Sequence, residues 1–112
     1  MAELITWTDF ESVDLRAGTI IDVEDFPKAR KPAYQLRIDF GKLGILKSSA
    51  QITAHYKKED LIGRQIIAVV NFPKKQIADF MSECLVTGLP DENGDIVLSS
   101  IERKVPNGTR LI

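Results

Sequence analysis

The chain has 112 residues, 44% hydrophobic and 28% charged, with 15 Lys and Arg against 16 Asp and Glu. That composition excludes collagen-like, coiled-coil and wholly disordered chains, and the length excludes a tandem enzyme: one domain over residues 1–112 buries roughly two thirds of its extended surface and needs no metal or disulfide staple. A formal charge of −1 argues against a nucleic-acid binder held by bulk electrostatics.

In chain order, Thr8-Asp9-Phe10-Glu11 reads as a reciprocal capping box and predicts a short N-terminal helix. Leu15, Ala17, Thr19, Ile21 and Val23 then alternate with Arg16, Gly18, Ile20, Asp22 and Glu24, a period of two that puts the first set on one face of a strand. The prolines of Phe26-Pro27-Lys28-Ala29-Arg30-Lys31-Pro32 break that strand into a loop. Tyr34, Leu36, Ile38 and Phe40 alternate with polar residues up to Gly41 and predict the second strand, and Leu43 to Ser49 a third. A helical stretch is expected from Thr53 to Ile62, with Gly63 at its left-handed stop and a solvated Lys57-Lys58-Glu59-Asp60 face. Ile66 to Val70 is apolar throughout and reads as a central strand. Cys84 to Thr87 and Ile96 to Leu98 should form a hairpin across the Asn-Gly turn chemistry of residues 90–94. Short strands with one small helix between the third and fourth make an all-β chain, a five-stranded OB-fold barrel with short helices.

Charge is segregated, −6 over residues 1–25 and +5 over 26–47. The two segments either form a basic patch or pair across neighbouring strands.

Little in the sequence announces chemistry. His55 is the one histidine and reads as a surface imidazole in a polar helical stretch; Cys84, the one cysteine, reads as a small buried hydrophobe. Together they are too few for a protein-only zinc site, so no metal, no cofactor and no catalytic residue is expected. No apolar run reaches the roughly 18 residues of a membrane span, and Met1 to Trp7 lacks the features of a signal peptide. A cytoplasmic, non-enzymatic binding module without membrane insertion is the expectation. The segment from Asn71 to Ser82, read as a loop, carries Phe72, Ile77, Phe80 and Met81 where polar residues are usual. These four are the candidate contacts for an unfolded peptide; a barrel cap and a subunit contact are the other readings.

Asp14-Leu15-Arg16-Ala17-Gly18-Thr19-Ile20, Phe26-Pro27-Lys28-Ala29, Tyr34 through Gly41, Tyr56 through Gly63, Asn71 and Ser82-Glu83 resemble the tRNA-binding domain of the EMAP II-like cytokine and of some aminoacyl-tRNA synthetases. Within that family, Ser48 to Thr53, Val69 to Pro73 and Val105 to Thr109 are most similar to its small bacterial export chaperones. The resemblance implies an OB-fold and a homodimer joined through terminal extensions, and the exposed apolar residues at the chain ends suit such a joint. It also implies binding of unfolded precursor proteins for secretion, with the export machinery as a further partner. For tRNA, the alternative partner, the implied contacts are Lys28, Arg30, Lys31, Ser48, Ser49, Asn71, Lys74, Lys75 and Ser82. The chain departs from the tRNA-binding pattern at Ala29-Arg30-Lys31-Pro32, where relatives have Ala-Asp-Lys-Leu, and at Ala78-Asp79-Phe80-Met81, where they have Arg-Gly before Ser-Glu.

Overall fold

Residues 2–112 are described by a computed structural model. Helix α1 spans Trp7–Glu11. Its cap is two residues earlier than the sequence suggests: Thr6 Oγ1 accepts from the Asp9 amide and the Asp9 carboxylate accepts from the Thr6 amide. Starting there lets Trp7 and Phe10, three residues apart on one face, meet edge to face at 5.9 Å.

Strands β1 (Leu15–Asp25), β2 (Tyr34–Asp39), β3 (Ile45–Ala50), β4 (Gln65–Val69) and β7 (Leu85–Val86) form one antiparallel sheet in the order β3-β2-β1-β4-β7. The sheet curls until its edges meet. At the seam the Glu83 amide donates to the Lys47 carbonyl at 2.7 Å, and the Glu83 carboxylate accepts the Lys47 amide at 3.0 Å. The product is a nearly closed five-stranded barrel, the OB-fold expected of the sequence, filled by Ile20, Leu36, Ile38, Phe40, Leu61 and Ile66.

The strand β2 alternation holds: Tyr34, Leu36, Ile38 and the following Phe40 are all buried. In β1 the period of two does not run unbroken. A bulge between Ile20 and Asp22 shifts the register, so Gly18 and Ile20 face inward before it, Val23 after it, and Ile21 is exposed. Gly18 lies where a Cβ would sit 2.6 Å from the Phe40 ring, which is why no side chain fits there. Ala17, on the outer face, is covered by the C-terminal segment, and its amide donates a hydrogen bond to the Thr109 carbonyl.

The expected helix over 53–62 shrinks to α2, Lys58–Leu61. Tyr56 explains the loss: its carbonyl accepts from Tyr34 Oη and its own hydroxyl accepts from the Leu98 amide, which holds the preceding backbone out of helical geometry. Gly63 follows at φ +87°, as expected of a left-handed stop. The face of α2 is not merely solvated, since Lys58 reaches Asp25 at 2.9 Å. His55 lies outside any helix, with Nε2 2.7 Å from an Asp91 carboxylate oxygen. The two charged segments do lie side by side on β1 and β2, where Asp22 faces Arg37 at 4.0 Å.

Two small hairpins are added to the barrel. Residues 71–82, expected as loop, contain β5 (Lys75–Ile77) paired with β6 (Phe80–Ser82). The predicted hairpin of residues 84–87 with 96–98 has a different first arm: β8 (Gly88–Pro90) pairs with β9 (Ile96–Leu98), because Leu85 and Val86 are already committed to β4. The Asp91 carboxylate accepts the Asn93 and Asp95 amides within that turn. No helix among the described residues is long and apolar enough to cross a membrane.

Candidate functional site

The β5–β6 hairpin lies against β3 and leaves a groove of about 570 Å³ between itself and the Pro27–Pro32 loop. One wall is residues 28–31, the other residues 75–78, and Ala33, Ser49 and Gln51 form the floor. The hairpin is held at Phe80, at its turn and at Ser82, whose hydroxyl accepts the Ser49 amide. Phe80, half-buried, packs on buried Phe26 with ring centroids 5.4 Å apart, and the Lys47 ammonium lies 5.3 Å over the same ring. Lys28 at the loop and Asp79 at the hairpin turn meet at 2.8 Å. Each partner's hydrogen bond to the other moves its titration: the Lys28 ammonium is held above its usual range and the Asp79 carboxyl below it.

The groove is cationic with small apolar patches. Arg30, Lys31 and Lys75 line it without an acidic partner among the described residues, while Ala29, Ala33, Ile77 and Ala78 give it apolar surface. Ser49, Gln51 and Gln76 add hydrogen-bonding groups.

The four candidate peptide contacts are not brought together. Pairing of Ile77 with Phe80 puts those two on one face of the hairpin, and Met81, paired with Gln76, on the other. Ile77 reaches the groove and Phe80 lies beneath the hairpin, whereas Phe72 lines a separate pocket of about 230 Å³ with Pro73 and Leu85. Of the residues implied for tRNA, Lys28, Arg30, Lys31, Ser49 and Lys75 gather at the groove. The others do not line it. Ser48 is fully buried, and Ser82 is buried with its hydroxyl accepting the Ser49 amide at 3.2 Å. Lys74 pairs with Glu83 at 3.3 Å. Asn71 ties the chain near α1 to the barrel, accepting the Asp14 amide and donating to the Ser12 carbonyl.

Gln51, Gln76 and the alanines are groove residues that sequence reasoning passes over. Nothing in their types marks them; they matter only because the loop and the hairpin are adjacent in space. Cys84 is buried at the seam beside the Lys47 carbonyl, and burial pushes its thiol up to about 12.

A family model described as "Putative tRNA binding domain" matches residues 15–110. Among solved structures the fold is similar to chaperone CsaA of Bacillus anthracis, 52% identical with a TM-score of 0.92 over 98% of this chain and 100% of that one. The CsaA chaperone protein of Picrophilus torridus is 49% identical, with a TM-score of 0.90 over 97% of this chain and 100% of its own. The chain is a CsaA-type member of the tRNA-binding-domain family. This CsaA-type chain is also similar to methionine–tRNA ligase of Methanocaldococcus jannaschii, 29% identical over 111 residues and 97% of this chain. It spans 16% of the length of that ligase.

Proposed function

We propose that the protein is a non-enzymatic chaperone that captures unfolded or precursor polypeptides in the groove between the Pro27–Pro32 loop and the β5–β6 hairpin, and holds them for secretion. The observation that carries this reading is the groove itself. It is open, and mixes cations with small apolar residues, as a site must that takes many different segments. The 52% identity to a chaperone across 98% of the chain supports it. Capture needs neither a cofactor nor a reaction, and the working location is the cytoplasm, where precursors are made.

The working form is a homodimer. Leu4, Ile5 and Trp7 at one end of the chain and Leu111 and Ile112 at the other are exposed large apolar residues, and a second copy is the economical way to cover them. Sedimentation equilibrium should give twice the 12.5 kDa chain mass at micromolar concentration; a stable monomer contradicts this part of the reading.

The alternative is a tRNA-binding protein, favoured by one observation, the three groove cations without acidic partners. A salt series on both ligands separates the readings. Binding that neutralises several phosphates weakens steeply between 50 and 200 mM salt, on the order of a thousandfold for six contacts. Capture of an unfolded precursor should hold across that range to within about tenfold, since apolar contacts are not screened. Steep salt dependence with tRNA, together with no measurable precursor binding, would replace the chaperone reading.

A further inference from the structure

We infer that a captured segment binds as an added strand along the outer edge of β5, held mainly backbone to backbone; the inference rests on the capture reading above. The first observation is how the groove is lined. Along a strand, successive side chains point to opposite faces, so a groove lying against a face would touch every second residue. Here Lys75, Gln76, Ile77 and the turn residue Ala78 line it consecutively. Consecutive lining places the groove beside the strand's edge.

The second observation is that this edge is free. β5 pairs with β6 alone, in a sheet of two strands. Among the described residues, no backbone group of Lys75–Ile77 is hydrogen-bonded to any segment other than β6. An exposed edge of unpaired amides and carbonyls is a template for another strand. Lys75 and Gln76 are exposed and Ile77 is partly so, and the facing wall of residues 28–31 leaves a channel rather than a cover.

The occupant is therefore an extended polypeptide, and charge sets its preference. Arg30 and Lys31 on one wall and Lys75 on the other favour acidic side chains and disfavour basic ones. Backbone pairing gives the site tolerance for sequence, which capture of unfolded chains requires. Because alternate residues of the bound segment turn their amides toward β5, only one of the two amide sets is used.

The test uses the full chain and a short unstructured peptide with glutamate at alternate positions, with affinity read by fluorescence anisotropy. Two variants carry N-methyl groups on the odd or on the even amides, so they contain equal numbers of methyls and differ only in parity. A third has lysine for glutamate. We expect one parity to lose about tenfold or more in affinity and the other to stay within about threefold of the parent, with the lysine peptide also weakened about tenfold. Both parities weakening alike, neither weakening, or a lysine peptide that binds as well as the parent overturns the inference while capture stands. A parent peptide that fails to bind while tRNA binds overturns the capture reading itself.

Discussion

The barrel and the β5–β6 hairpin are both antiparallel β-structure, yet they are held by different forces. The barrel is fastened by side chains with no exposure at all, among them Ile20, Leu36, Ile38 and Phe40, and by a seam of backbone bonds at Lys47 and Glu83. The hairpin rests on one aromatic contact, one cation over a ring, one exposed ion pair and the bond from the Ser49 amide to the Ser82 hydroxyl. Burial of apolar surface is cooperative across the barrel, whereas each hairpin contact is local. The barrel is the platform and the hairpin is one wall of the groove.

Substitutions should separate the two regions. The largest effect is expected at Gly18→Val, which would drive a side chain into the Phe40 ring and the Ile38 side chain; no folded protein should be recovered, as read by circular dichroism. Phe40→Ala should lose about 3–5 kcal/mol of stability in denaturant titration, the range for a buried aromatic. Phe80→Ala should lose about 1–2 kcal/mol, because Phe80 is half-buried and supports only the hairpin, and it should weaken peptide capture by loosening that wall. A loss at Phe80 as large as that at Phe40 would mean the hairpin is part of the barrel core.

Cys84 sharpens the comparison because it is buried at the seam. Burial at the seam pushes its thiol up to about 12, so alkylation at neutral pH should be slow and should quicken when the barrel loosens. Its alkylation rate should be nearly unchanged in Asp79→Asn, which frees only the hairpin turn, and should rise in Phe40→Ala. A marked rise in Asp79→Asn would show the two regions opening together.

The smallest expected effect concerns pH. Asp79 is held below its usual range, so its contribution is complete above about pH 4 and is lost as pH falls through the lowered folded value. Lys28 is held above its usual range, so its contribution is complete below about pH 10 and is lost as pH rises through the raised folded value. Both groups are exposed, and hydrogen exchange of the hairpin amides should be independent of their titration between about pH 5 and 9 after correction for intrinsic exchange. A transition at pH 6 to 7 would assign the attachment to another group.

The same contrast explains what could be read from the sequence. The alternation of Tyr34, Leu36, Ile38 and Phe40 is visible because one side of β2 faces a core and the other water. The bulge in β1 is invisible because Thr19, Ile21 and Val23 alternate on paper as convincingly as Gly18, Ile20 and Val23 pack in space. The β5–β6 hairpin lacks the usual signals: its strands have three residues each, and its turn runs through Ala78 at φ +53° rather than through glycine or asparagine. The resemblance to the tRNA-binding family covers Lys28, which lines the groove, and equally Ser48, Asn71 and Ser82, which bond to this chain's own backbone. A motif residue that ties the fold and one that lines a groove look alike in a sequence.

The most direct test of the account is a map of the bound segment on the protein, by amide chemical shifts of the isotope-labelled chain titrated with an unstructured precursor fragment. The account predicts changes concentrated at residues 28–33, 49–51 and 75–78, with the amides of Glu11, His55 and Asp91 unmoved. Changes centred instead on Phe72, Cys84 and Leu85, with residues 28–31 silent, would contradict it.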